Sequence, residues 1–462
     1  MADLAHLLSP TDPAPRYAQI GGGLRAQITN GQLAPGTRLP ASRALAQDLG
    51  VSRSTVVTAY DQLVAEGYLE ARQGAGIFVC DIAAITTPDA KPSLRPATPL
   101  PHTGLLAPGA PDPDILPIQP WARCVARVAR NTPRALVHQE DLFGDPELRR
   151  EIAAYAGRWR GITAAADQVM VTSGASAGLE LAMALLVSDG CLTLETPGYS
   201  PTQRFAADRK WQVNWMTVGP QGAALPAQPS QVTVLTPSHQ FPLGGGLPVP
   251  VRQAFLQAAA DGDGWIIEDD FDSEFRYAGQ PVPAMAALDH NGRCIYVGTF
   301  SKTFSHALRL GYLILPPGLV GRFRDALTHP GSSAPVTAQR PLAEFMASGQ
   351  YDRHIRRARR LYALRYAAAA DALAGWSTEF GWFQRHDAGM QIAFHLAPPL
   401  PDHALARAAQ SAGFAVRPLS SCDPSGLAQG LLIGFCQSQP DEIAGQIETL
   451  RLIIQGYQET SG

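Results

Sequence analysis

The chain has 462 residues and a mass of 49.2 kDa, well beyond the ~100–200 residues of one usual domain, so a single small binding module is excluded. Apolar residues make up 45% and charged residues 17%, enough to bury a large core and too little charge for a disordered chain. A formal net charge of −3 gives no global attraction to phosphate or to an anionic membrane, so any nucleic-acid contact must come from a local patch.

The sequence has no run of about 18 apolar residues, and its first ten residues lack the basic start and apolar stretch of a signal peptide; neither a membrane span nor export is expected, and the expected location is the cytoplasm. The six cysteines lie far apart with no CxxC pair, which fits neither a zinc site nor a disulfide framework. No metal is expected, and the thiols read as ordinary buried side chains. Of 37 basic residues only Lys91, Lys210 and Lys302 are lysines. A lysine kept in such a background can mark chemistry that a permanently protonated guanidinium cannot do, such as forming an imine through a free amine.

Residues 1–80 read as one unit. Tyr17, Ile20, Leu24 and Ile28 fall on one face of a first helix. The run Gly21-Gly22-Gly23 interrupts it, at about 1 kcal/mol per glycine relative to alanine, which predicts a weak or kinked helix there. A second short helix over 42–49 carries Leu45 and Leu49, Gly50 makes a turn, and Ser52 can cap a third helix with Val56, Tyr60, Leu63 and Val64 that Gly67 stops. This is a helix-turn-helix, and YLEA and GIFVC, folded around residues 72–76, add the hairpin of a winged helix. Six arginines balance six carboxylates in residues 1–80, so charge alone does not single out DNA. Placement does: Arg43, Arg53, Ser54 and Thr55 cluster at the starts of the second and third helices, where helix amino termini and short polar side chains meet phosphates and base edges, and Arg72 and Gly74 sit on the wing. Residues 35–79 resemble the winged-helix domain of the GntR family, in which the positions of Arg43, Arg53, Ser54, Thr55 and Gly74 touch DNA.

Residues 81–106 carry Pro88, Pro92, Pro96, Pro99 and Pro101, spaced so that no helix can form, and read as an extended linker. Residues 107–462 alternate apolar strand-length runs with amphipathic helical stretches, the pattern of an α/β domain. Within it, the strand from Cys294 leads into Thr299, Ser301 and Lys302, which places the lysine at the ligand side of an open sheet. Arg309 follows seven residues later. Trp265-Ile-Ile runs into Glu268-Asp269-Asp270, and a strand after Gln168 ends in Thr172-Ser-Gly174-Ala175-Ser176 before a helix, a turn whose free N–H groups would hold a phosphate.

An amine, a carboxylate, a phosphate cradle and an arginine are what pyridoxal 5′-phosphate requires. The combination is similar to the fold-type I aminotransferases over roughly residues 109–454. By that resemblance Lys302 forms the Schiff base, Asp269 pairs the pyridinium, Gly174, Ala175, Ser176, Thr299 and Arg309 hold the phosphate, Tyr199 stacks on the ring, and Phe271 stands beside the phenolic oxygen. An N-terminal winged helix-turn-helix (α+β) linked to such an α/β domain resembles the MocR/GabR-type regulators, whose hallmark stretches recur as TPSHQFPLGG from Thr236, IIEDDFDSEFRY from Ile266, GTFSKTFSHALRLGY from Gly298 and RHIRRARRLY from Arg353; the last reads as a solvated helix face. The resemblance implies operator DNA as partner, an amine, an amino acid or the cofactor itself as effector, and a head-to-tail homodimer.

Several positions depart from the pattern. Phe271 replaces a tyrosine, Leu432 stands where aminotransferases carry the arginine for the substrate carboxylate, and Phe241 and Leu243 replace an asparagine and a threonine. These changes weaken the case for efficient transamination and favour a sensor. The rival reading is a working aminotransferase with an autoregulatory DNA-binding domain.

Overall fold

A computed structural model describes residues 7–9, 12–81, 104–219, 222–228, 230–279, 282–327, 334–376, 380–397 and 400–461. The chain divides into two compact units, Met1–Thr98 and Pro99–Gly462.

The first unit contains α1 (Arg16–Thr29), α2 (Ser42–Asp48), α3 (Arg53–Ala65) and the antiparallel hairpin β1 (Leu69–Arg72) and β2 (Gly76–Val79). Ser52 caps α3 as expected, its side chain accepting from the Thr55 N–H at 3.2 Å. Gly67, at φ 79°, ends it, with the Tyr68 N–H returning to the Leu63 carbonyl at 2.9 Å. Ile20, Leu24, Leu45, Val56, Tyr60 and Leu63 form the core; Tyr17, expected on that face, is exposed. At Gly21–Gly23, where a weak or kinked helix is expected, α1 is continuous. Burial of Ile20 and Leu24 outweighs the low propensity, and Gly23 leaves room for the buried Leu7, whose Cδ2 would lie 2.5 Å from a Cβ there.

Residues 82–103, most of the expected linker, lie outside the described residues. Its last three residues belong to the second unit: Leu105 pairs with Phe414, and Leu106 is buried in a core cluster. Leu106 is drawn into the core, while Leu105 stays exposed and joins the unit through its backbone pairing.

The second unit is built on an eight-stranded mixed sheet. In chain order its helices and strands begin with α4 (Ile118–Asn131), α5 (Arg134–Val137), α6 (Pro146–Arg160), β3 (Val169–Thr172), α7 (Ala175–Leu186), β4 (Cys191–Thr196), α8 (Ser200–Asp208), β5 (Gln212–Gly219), β6 (Gly222–Ala223) and β7 (Val232–Leu235). They continue with α9 (Val249–Asp261), β8 (Trp265–Asp270), β9 (Cys294–Thr299), β10 (Gly311–Ile314), α10 (Val320–Ala326), α11 (Gln339–Ala347) and α12 (Gln350–Ala374). The sheet order is β3-β10-β9-β8-β7-β4-β5-β6, parallel from β9 to β5. The central strands β7 and β9 are buried on both faces, which is why VTVL and CIYVGT read as near-continuous apolar runs; the edge strand β3, VMVT, is buried as well. A second, antiparallel sheet of order β11-β12-β14-β13 uses β11 (Gly381–Phe383), β12 (Gln391–Leu396), β13 (Arg417–Pro418) and β14 (Gly430–Gly434), and packs with α12, α13 (Asp402–Ser411) and α14 (Pro440–Ser461) around its own core.

Candidate functional site

Three strand ends of the large sheet converge at one glycine. Gly311, at the start of β10, pairs with Thr172 of β3 on one side and Thr299 of β9 on the other. A Cβ there would lie 2.6 Å from the Ala175 nitrogen, so only glycine lets the start of α7 approach the end of β9. α7 opens at Gly174, at φ 93°, with no side-chain cap, leaving its first N–H groups for a ligand. Thr299 Oγ1 accepts from the Ser301 N–H at 3.1 Å. Arg309 is exposed and sits at φ 48° just before β10. Gly174, Ala175, Ser176, Thr299 and Arg309 are therefore carried by adjoining turns.

Neighbouring carboxylates at the end of β8 have opposite surroundings. Asp270 forms an ion pair with Arg160 at 2.7 Å and accepts from the Tyr296 hydroxyl at 2.8 Å. Asp269, on the other face of the strand, is buried, and its Oδ1 has no hydrogen-bond partner. Burial, reinforced by Asp270 and Asp272 and opposed by Lys302, pushes its pKa up to about 7. A buried carboxylate oxygen without a donor is costly; a ligand N–H in this place would satisfy it.

Lys302 lies past the end of β9, half-buried, its Nζ donating to the Gly109 carbonyl at 2.7 Å. Gly109, at φ 62°, is needed there, because a Cβ would lie 2.7 Å from Nζ. Burial, and next the Arg417 guanidinium, bring the lysine pKa down to about 8, closer to the range in which a free amine is present. Tyr199, leading into α8, shares a hydrogen bond with Ser176 at 3.0 Å, and its ring meets Phe241 edge-on with centroids 5.7 Å apart.

The four residues that depart from the aminotransferase pattern come together in space. Phe241 and Leu243 pack against the cluster that contains Leu432, which is 1% exposed. Phe241 also meets Phe271 edge-on at 5.7 Å. Positions scattered through the sequence thus form a single apolar wall. Beside it stands a residue that sequence reasoning missed. Arg417 of β13 is the cross-strand partner of Leu432, so the two side chains share a face, and its charge bears on Lys302, His306 and Tyr199. The signal was an isolated charge in the apolar run FAVRPL.

In the first unit Arg43, Arg53, Ser54 and Gly74 are all exposed. Arg53 Nε approaches Ser42 Oγ at 3.5 Å, joining the starts of α2 and α3. Ser54 and Thr55 both contact Ser52 Oγ at 2.8 Å, and Gly74 turns the wing tip at φ 75°. On α12, Arg353, Arg356, Arg357 and Arg360 are exposed, as a solvated face requires. Four cysteines are buried, whereas Cys80 and Cys191 are only partly so. Among the described residues there is no cluster of potential metal ligands and no helix long and apolar enough to cross a membrane.

Comparison with known proteins covers both units. The gntR family of bacterial regulatory proteins matches residues 16–79, and the class I and II aminotransferases match residues 123–427. The probable rhizopine catabolism regulatory protein MocR of Rhizobium meliloti is 37% identical over 95% of this chain and 93% of its own. The pyridoxine biosynthesis transcriptional regulator PdxR of Corynebacterium glutamicum is 35% identical over 81% of this chain and 82% of its own. Among solved structures, the kynurenine aminotransferase of Pyrococcus horikoshii superposes with a TM-score of 0.70 at 23% identity, covering 77% of this chain and 91% of that one. The α-aminoadipate aminotransferase LysN of Thermus thermophilus gives 0.69 at 24% identity, with 78% and 94% covered. These two likenesses establish the fold of the large unit.

Proposed function

This chain belongs to the MocR-type transcriptional regulators, in which a GntR-type winged helix is joined to an aminotransferase-like domain, and we propose that it binds operator DNA through residues 1–80 and holds pyridoxal 5′-phosphate in the large unit to sense an amine, an amino acid or the cofactor itself. The carrying observation is the pairing of a complete set of cofactor-directed polar groups with an apolar wall where an enzyme places polar ones. When bound, pyridoxal 5′-phosphate supplies an aldehyde that condenses with primary amines. In this reading Lys302 provides the resident amine, Asp269 accepts the pyridine N–H, the N–H groups at the start of α7 with Ser176, Thr299 and Arg309 take the phosphate, and Tyr199 covers the ring.

Arg417 supports a carboxylate-bearing effector, since it places a guanidinium beside Lys302 on the side left apolar by Leu432. It is also the observation that favours a second reading, residual transaminase activity. The wall opposes efficient turnover because Phe241 and Phe271 cannot donate hydrogen bonds to the cofactor's oxygen. The name of the Corynebacterium relative, a regulator of pyridoxine biosynthesis, supports including the cofactor among the effectors. A cytoplasmic, head-to-tail homodimer completes the proposal.

The test is operator binding by the full chain. Losing Arg43 or Arg53 should weaken it about tenfold or more, because a bidentate arginine–guanine contact is worth about 1–3 kcal/mol of discrimination. Undiminished affinity in a folded Arg43→Ala/Arg53→Ala variant would move the DNA contact elsewhere.

A further inference from the structure

A second cleft lies beyond Phe271. His239 lines it, and the His239 ring packs on Phe271 with centroids 5.7 Å apart. Arg276 and Gly279, from the segment after β8, and Arg385, His386 and Asp387, from the segment before β12, complete a cavity of about 420 Å³, within the size range of small-molecule sites. Through His239, Arg276 and Gly279 it continues into a recess of about 70 Å³ that Trp159, Arg160 and Arg359 also line. Lys302, Asp269 and the phosphate-directed residues border neither space.

Three of the basic side chains around this cleft are paired with carboxylates. Arg160 is paired with Asp270, His239 with Asp272 at 2.8 Å, and Arg385 with Asp371, while Glu274 accepts from the Tyr155 hydroxyl. Burial works against a charged His239, yet the Asp272 carboxylate holds its pKa above the ordinary histidine value. Asp387, at the mouth, is exposed. Among the described residues neither Arg276 nor Arg359 has a carboxylate partner; Arg359 lies over the Trp159 ring at 5.3 Å. Arg276 Nε is buried and has no hydrogen-bond acceptor. A buried guanidinium N–H in that state carries a desolvation cost that an anionic acceptor would remove.

We propose that this cleft is a second small-molecule site, which binds the oxyanion of a ligand, a phosphate monoester or a carboxylate, through Arg276 with Arg359 beside it. The site is independent of the cofactor assignment, because it shares no residue with it. Asp272, the buried partner of the His239 that lines the cleft, is also among the charges that bear on Asp269 and Lys302, so the two sites adjoin.

The experiment is calorimetric titration of the full chain with inorganic phosphate and, separately, with succinate at constant ionic strength, with Trp159 fluorescence as a second signal. Saturable binding of at least one is expected, and the two arms tell a phosphate ligand from a carboxylate one. Arg276→Gln should weaken that binding at least tenfold, whereas Arg309→Ala, which alters only the first site, should change it less than twofold. Because Arg276 lies in a segment paired with Ala388, Arg359→Gln on α12 is measured alongside; a loss in the same direction from a helix surface position rules out misfolding as the cause. A response that never saturates in the natural chain would overturn the proposal. So would loss in Arg309→Ala with retention in Arg276→Gln, which would place the anion in the first site.

Discussion

The half of the site around Asp269, Lys302 and the start of α7 is polar, and its buried carboxylate has an oxygen without a donor. The half formed by Phe241, Leu243, Phe271 and Leu432 is apolar and satisfied by its own packing. The first arrangement suits holding a charged ligand, because its groups are positioned and partly desolvated before the ligand arrives. The second offers no polar group to steer proton transfers once an amine has entered. Side by side they set a polar, ligand-ready half against an apolar half that is already packed.

The most complete loss is expected on the polar half. Lys302→Ala should abolish the visible absorption of the cofactor-loaded protein and the adduct that borohydride fixes; peptide mapping that still finds an adduct elsewhere would disprove the assignment. On the apolar half, Leu432→Arg should not restore an enzyme. It buries a second guanidinium opposite Arg417, and an uncompensated buried charge costs about 3–5 kcal/mol, read as a lower urea midpoint.

Asp269 gives a test with a defined sign. In protein stripped of cofactor its pKa of about 7 lies above the ordinary carboxylate value of about 4. The folded state then holds a proton that the unfolded chain has lost, so this group's contribution falls as pH rises from about 4 to about 7. Asp269→Asn should remove that dependence and leave stripped protein more stable than the natural one at pH 8, by up to ~4 kcal/mol, the gap closing toward pH 4. Cofactor affinity should move the other way, weakening in the same variant. Matching stability curves for the two proteins across this range would mean that Asp269 is solvated in solution.

The smallest effect is expected from Phe271→Tyr. One added hydrogen-bond donor is worth about 0.5–1.5 kcal/mol, so the midpoint of the cofactor's spectral pH titration should fall by no more than ~1 pH unit. Coincident titrations would show that residue 271 does not face the cofactor.

Much of this site was legible from local signals. The Ser52 cap, the stop at Gly67, the apolar strands running into Asp269 and Lys302, and the glycine turn before α7 each depend on a few consecutive residues, and the backbone chemistry of caps, turns and strand ends is short-ranged. At the triple glycine of α1 the local rule is not the whole account, because burial of Ile20 and Leu24 and the seat for Leu7 also support that helix. Gly104–Leu106 were assigned to the linker by their proline-rich neighbours, yet the pairing of Leu105 with Phe414 draws them into the large unit.

The sequence by itself determined the two-part organisation, the family resemblance and the identity of the lysine and carboxylate, because each rests on residues adjacent in the chain. Only the tertiary structure decided that Phe241, Leu243, Phe271 and Leu432 form one wall, that Arg417 stands next to Leu432, and that Arg276 and Arg359 line one cleft. Contacts of this kind join separate strands and loops through the register of β13 on β14 and the packing of one sheet near another. No local periodicity encodes that register; it emerges when the apolar faces are buried together.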